Sequence, residues 1–288
     1  MKRIEIRHTT RYDFEAAVTL GPHTLRLRPR EGHDLHIVVS ALDIVPEAVL
    51  SWRRDLYDNV LGVAEFAGAP VIALIIESRV EVELYETRPL NFVVADHAVH
   101  FPFSYESEEW IALRPYLDPV YDNHAAYSAW LAEYHRVKGT AETFTVLDGM
   151  NRRIHEQFVY ETRNEPGVLP PAETLRRGKG SCRDLAALML ESCRQLGIAA
   201  RFVSGYVHDP ATEAGVAASH AWVEVYLPGA GWKGFDPTNG TLVGPDHIPV
   251  AVHRHPEAIP PVAGMFTGPA GSMPELTVDV HMMRREGD

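Results

Sequence analysis

Gly-Lys-Gly-Ser-Cys-Arg-Asp-Leu-Ala at residues 178–186 is the stretch whose reading decides the fold, and Ser-His-Ala-Trp at 219–222 and Gly-Phe-Asp-Pro-Thr-Asn at 234–239 follow it. A cysteine, a histidine and an aspartate thus occur in an order that suits thiol catalysis. An ordinary thiol, with a pKa of about 8.5, is only a few per cent thiolate at neutral pH, so a nucleophilic cysteine needs help to ionise. Cys182 has two sources of it. It opens an apolar-periodic run in which Leu185, Leu188, Met189, Cys193 and Leu196 recur at helical spacing and which Gly197 stops. It therefore sits at a helix N-terminus, where unpaired N–H groups and the macrodipole favour negative charge. His220 is the second source, as an imidazolium partner. Asp236 would hold the other ring nitrogen as the third member of a triad.

Residues 220–227 alternate as a strand, with His220, Trp222, Glu224 and Tyr226 on one face and Ala221, Val223, Val225 and Leu227 on the other. Pro228 to Gly231 make a turn, and Trp232 to Asp236 read as the returning strand. Register decides whether the triad can exist. A four-residue loop puts Asp236 on the wrong face, whereas a three-residue loop sets it opposite Trp222, diagonal to His220 at roughly 7 to 8 Å before local bending. The three-residue register, or a bulge of the same parity, is predicted.

These motifs, Gly-x-Gly-x-Cys-x-Asp-x-Ala at 178–186, Ser-His-Ala-Trp-x-Glu-Val at 219–225 and Gly-Trp-x-Gly-x-Asp-Pro-Thr-Asn at 231–239, resemble the transglutaminase-like superfamily of papain-fold cysteine enzymes. The likeness is specifically to bacterial proteins labelled transglutaminase-like or cysteine-protease-like. Asp246-His247-Ile248, Val250-Ala251-Val252 and the segment from Pro260-Pro261 to Gly264 look like the same bacterial subgroup. The resemblance implies an α+β protein, with a β-rich N-terminal domain before a papain-like, transglutaminase-like catalytic domain. It implies Cys182 as nucleophile, His220 as general base and Asp236 as the orienting acid. The common step is acyl transfer at an amide, with a peptide or protein substrate carrying an amide side chain or isopeptide. Hydrolysis is the default outcome, transamidation to an amine the alternative, and a non-catalytic peptide-binding or assembly protein the reading from another class. One oxyanion donor is expected to be the Cys182 backbone N–H, with Gln157 a candidate for the second and Tyr160 and Trp222 behind it. Asp184 is expected to support the first turn of its helix.

The plain readings compete with these. A lone cysteine at a helix start packs as a small hydrophobe, and Cys193 is taken as one. Eleven residues along a helix separate it from Cys182 by roughly 16 Å, beyond a disulfide's reach of about 7 Å. The chain has 15 histidines but only two cysteines, with no His-Glu-x-x-His and no Cys-x-x-Cys, so neither a metal nor another cofactor is expected. His247, His253 and His255 are read as solvated or loop-binding residues of a Pro-rich tail.

The 288 residues, 45% hydrophobic, allow two modest domains, and 27 basic against 39 acidic side chains leave a net charge of −12. That charge disfavours nucleic acid and anionic membrane as partners. The start Met-Lys-Arg-Ile-Glu-Ile-Arg-His lacks a signal-peptide run and no window suits a membrane span, so a cytoplasmic address is expected. The expected organisation is a β-rich domain over 1–100, a catalytic domain over 101–250 and a Pro/Gly-rich extension over 251–288 ending in a strand at Leu276 to Met282. Residues 89–120 are read as a connection, 122–137 and 144–158 as helices, and 161–181 as a loop leading to the thiol. Residues 209–218 are read as a rim over it, and 284–288 as frayed.

Overall fold

The computed structural model describes residues 2–85, 89–121, 124–137, 141–163, 165–208 and 216–285. The first third of the chain is strand after strand, because β-branched and aliphatic residues alternate with polar ones between turns. These strands are β1 (Lys2–Leu25), β2 (Leu35–Val45), β3 (Ala48–Arg54), β4 (Val60–Phe66) and β5 (Val71–Leu84). The long β1 serves two layers. Its first half pairs antiparallel with β5 and its second with β4, and β2 and β3 add to β5 and β4. Between the layers lie Phe14, Val18, Leu20, Leu25, Leu74 and Ile76.

The helical part follows: β6 (His100–Phe101), α1 (Ser107–Leu117), α2 (His124–Leu131), β7 (Ala141–Glu142), α3 (Thr143–Gln157), β8 (Val159–Tyr160), α4 (Pro171–Arg177), β9 (Lys179–Gly180) and α5 (Cys182–Gln195). The chain then returns to strands: β10 (Ala200–Val207), β11 (Val216–Leu227), β12 (Gly231–Asp236), β13 (Thr241–Leu242), β14 (His247–His253), β15 (Val262–Thr267) and β16 (Glu275–Arg285). This is an α+β protein. The helix expected at 144–158 is α3, and that at 122–137 is the shorter α2 followed by a 3₁₀ turn at Tyr134–Arg136, with 122 and 123 outside the described residues.

Three local expectations are corrected. The stretch 89–120 is more than a connection, since it contains α1. Glu106 and Glu109 form a capping box there, and the helix accommodates the internal Pro115 in its last turn. The loop 161–181 contains α4, with Pro171 at its first turn, where the missing N–H costs nothing, and Gly178 left-handed at its end. Arg284 and Arg285 belong to β16, and Arg285 pairs with the buried carboxylate of Glu5 together with Arg7 and Arg79; residues 286–288 lie outside the described set.

The segment 251–288, read as an extension, is integral to the β-rich part. β15 pairs with the second half of β1, and β16 runs along its first half from Arg3↔Arg285 to Asp13↔Glu275. β11 also touches β16 at Val216↔His281, so one sheet continues from the first residues into the strands that carry His220. Ile4, Ile6, Val80, Val82 and Met282 pack directly on Tyr206, Ile248 and Val250. The N-terminal strands therefore form a floor under β10 and β14.

α5 is the core of the second half. Leu185, Leu188, Met189, Leu190 and Cys193 are at most 1% exposed, packed against Ala221, Val223, Val225 and Phe202 of β10 and β11 and against Leu147, Met150 and Ile154 of α3. Each fully buried aliphatic side chain contributes about 1.5–3 kcal/mol, so this packing fixes the helix whose first residue is the thiol. Gly205 faces His220 across the β10–β11 pair, and a Cβ there would strike the backbone of Ile248 and come within 2.6 Å of the Trp222 ring. Gly205→Ala is expected to lower stability by about 2–4 kcal/mol, because backbone cannot step aside. Urea unfolding checks this, and a loss under about 0.5 kcal/mol would mean the sheet is looser than it is drawn.

Candidate active site

Ser181 is the N-cap of α5, and Asp184, three residues on, accepts from the Ser181 N–H at 2.9 Å and its hydroxyl at 2.8 Å. Asp184 is fully buried and also accepts from the Leu169 N–H at 2.8 Å and from Arg163 at 3.1 Å. Burial works against its charge, but these donors together hold its carboxyl below the usual range. Its role is the expected structural one: it anchors the loop before the thiol to the helix start. Cys182 is then the first residue of the helix, 9% exposed, and its N–H is one of the four initial donors without an intrahelical acceptor.

The three residues singled out from sequence meet. Cys182 stands close enough to His220 to favour the charged form of its ring, and His220 Nε2 lies 2.8 Å from Asp236 Oδ2. The register is the predicted one: Leu227 pairs with Gly231 and Val223 with Phe235, which sets Asp236 one step on, across from Trp222 on the face of His220. With Nε2 turned to Asp236, the other ring nitrogen of His220 is left for the sulfur. Burial alone would discharge His220, but the hydrogen bonds and charges of Asp236 and Cys182 outweigh it and push the imidazole up to about 10. Asp236 is fully buried, yet His220 and His247 keep its carboxyl far below the carboxylate range. The couple is therefore carboxylate and imidazolium at neutral pH.

Asp236 is held on every side. Oδ2 also accepts from Asn239 Nδ2 at 2.8 Å and from His247 Nε2 at 3.1 Å, while Oδ1 accepts from the N–H groups of Thr238 at 3.0 Å and Asn239 at 3.3 Å. The Asp-Pro-Thr-Asn turn thus does two jobs, closing the strand and fixing the carboxylate.

His247 was not anticipated. Read as part of a solvated tail, it begins β14, is 9% exposed and packs edge-on against Trp222 at 5.3 Å between ring centroids. The available signal was Asp246-His247-Ile248 itself: a polar pair followed by alternating Ile248, Val250 and Val252 reads as a strand start as readily as a loop. Trp222 is fully buried with Val203 and Val252, a packing wall as expected. Trp232 is covered by the Arg201 guanidinium at 4.2 Å and by Tyr116.

Gln157 does not converge on this group. It lies on an exposed turn at the end of α3, where its side-chain oxygen accepts from Arg153 at 3.2 Å. Tyr160 does stand near the thiol: it pairs with Gly180 through β8 and β9, and burial followed by the closeness of Cys182 pushes its hydroxyl up. Cys193 is buried and free, its thiol pushed up to about 12 by burial. The rim expected at 209–218 falls mainly on 209–215, outside the described residues.

Residues 124–237 match the model of the transglutaminase-like superfamily, and residues 4–83 match that of the bacterial transglutaminase-like N-terminal region. The fold is similar to the solved structure of "a Putative Cysteine Protease from Cytophaga hutchinsonii", with a TM-score of 0.73 at 16% identity over 100% of this chain and 92% of that one. In sequence the chain is 25% identical to an uncharacterized protein of Mycobacterium leprae over 285 residues, covering 97% of this chain and 99% of the relative. It is 29% identical to an uncharacterized protein of Mycobacterium tuberculosis H37Rv over 298 residues, covering 96% and 92%.

Proposed function

We propose that this chain, whose residues 124–237 belong to the transglutaminase-like superfamily behind a bacterial transglutaminase-like N-terminal region, is a cysteine hydrolase of peptide, isopeptide or γ-glutamyl-type amides. The observation that carries the reading is the convergence of Cys182 on His220, whose Nε2 lies 2.8 Å from the buried carboxylate of Asp236. A row of this kind is costly to bury and is of most use where a proton must move.

In this reading the Cys182 thiolate attacks the amide carbon, a C–S bond forms and the carbonyl electron pair moves to oxygen. The helix-initial N–H of Cys182 faces the developing charge. Collapse breaks the C–N bond, and the His220 imidazolium gives its proton to the departing amine. Water then attacks the thioester and passes a proton to the now neutral His220. The C–S bond breaks, leaving acid, thiolate and imidazolium. Asp236 stays ionised throughout and fixes which nitrogen of His220 faces the sulfur.

The test is mass spectrometry of glutamine-containing and isopeptide-linked peptides incubated with the protein, with and without an added primary amine, against Cys182→Ala. Hydrolysis dependent on Cys182 and little altered by amine is expected. Amine-adduct products as the main outcome would replace hydrolysis by transamidation, and no Cys182-dependent change in any peptide would remove the enzymatic reading.

A further inference from the structure

His247 shares its acceptor with His220. Both rings turn Nε2 toward Asp236 Oδ2, at 3.1 and 2.8 Å, with ring centroids 6.4 Å apart. The tautomer of His247 can be read from its other nitrogen. Nδ1 accepts from the Gly244 N–H at 3.3 Å, so it carries no proton, and Nε2 must be the donor to Asp236. His247 thus turns an N–H dipole onto the carboxylate that holds His220.

The backbone makes this placement in a specific way. β14 pairs with β10 as Phe202↔His253, Val203↔Val252 and Ser204↔Ala251, then slips to Gly205↔Pro249, Tyr206↔Ile248 and Val207↔His247. An uninterrupted strand with Val252 on the face of Trp222 would send His247 to the opposite face, because the side-chain period is two. The extra residue of the bulge reverses that parity and brings His247 beside Trp222 and His220. The charged neighbours on this side are few. Asp246, the preceding residue, is paired with Lys2 and lies 3.6 Å from His208 Nδ1, leaving Asp236 as the carboxylate that His247 engages.

We propose that His247 is a positioning residue of this site: its Nε2–H occupies part of Asp236 Oδ2 and loosens the grip of Asp236 on the proton of His220, so that the imidazolium can release it to a leaving group. The physical reason is electrostatic. The positive end of the His247 N–H dipole lies beside the same oxygen that attracts the His220 proton, and in a buried site that opposition is little screened. A carboxylate facing His220 without this competitor would bind the proton more tightly, giving a firmer ion pair and a poorer acid. The proposal deepens the hydrolase reading and rests on it for its catalytic meaning, but its test does not.

The experiment is NMR of the full chain labelled with ¹⁵N-histidine, with the two rings assigned through His220→Gln and His247→Gln, read from pH 6 to 11. In the wild type the His247 ring is expected to donate to Asp236 from Nε2, with Nδ1 turned to the Gly244 N–H. In His247→Leu the midpoint of His220 should rise by about half to one pH unit, the size of one lost hydrogen bond. In His247→Gln, which keeps an N–H donor, most of that rise should disappear. A merely structural residue would change stability and leave the midpoint alone. An unchanged or lowered midpoint in folded His247→Leu overturns the proposal, and so does a His247 ring protonated at Nδ1 in the wild type, a readout that needs no variant to fold. Loss of peptide turnover with these results intact would strike the hydrolase reading instead.

Discussion

Iodoacetamide is expected to alkylate Cys182 about tenfold more slowly at pH 7 in His220→Ala than in the wild type. The magnitude follows from ionisation. An ordinary thiol is about 3% thiolate at pH 7, so an ion pair that holds the sulfur ionised offers roughly thirtyfold more nucleophile, part of which is returned because a more acidic thiol is a weaker nucleophile. The imidazole is pushed up to about 10, so its positive charge is present below that pH and lost above it. The wild-type advantage should therefore be largest near pH 7 and narrow as the pH passes about 8.5, where an unassisted thiol ionises by itself while His220 still holds its charge. Cys193, fully buried with its thiol pushed up to about 12, is the internal control and should stay unreactive in both proteins. Peptide mass spectrometry separates the two cysteines. Equal Cys182 rates in the two proteins at every pH would show that His220 does nothing for the thiol.

Asp236→Asn is the second large effect, and it acts on stability as well as chemistry. Asparagine has nearly the same shape, but every group around Asp236 donates: His220, His247 and Asn239 Nδ2 to Oδ2, and two backbone N–H groups to Oδ1. An amide must turn its NH₂ toward one of those sets. Either choice sets a donor against donors inside a site with no exposure, and removes the charge that keeps His220 protonated. A loss of about 3–5 kcal/mol in urea unfolding is expected, with Cys182 alkylation falling to the level of His220→Ala. Full stability combined with wild-type alkylation would mean that the carboxylate charge is dispensable and the row is not an ion pair.

The two effects differ in how visible their causes were beforehand. For Cys182 the local signals agreed: glycines before the thiol, an acid in the first helical turn, and an apolar stripe ended by Gly197. Each is a short-range rule, and α5 obeys them all. The His220–Asp236 contact was legible one level higher, since the pairing of two strands joined by three residues follows from loop length and side-chain parity. α1 was missed because Pro115 and a crowd of aromatic residues masked a helix whose apolar face is narrow, with Leu113 its buried residue. Gln157 was proposed from its place at the end of α3, but its amide lies on the exposed side of that helix end, where its oxygen accepts from Arg153.

The sequence by itself determined α3, α5, the β11–β12 hairpin and the meeting of Cys182, His220 and Asp236, because periodicity and a tight hairpin are decided within about twenty residues. Only the tertiary structure decided that β16 closes on β1 across almost the whole chain, and that a one-residue bulge in β14 turns His247 onto Asp236. Those outcomes depend on which distant edges find each other and on a parity that no local pattern carries: the same run of apolar residues could present either face until β10 was there to pair with it.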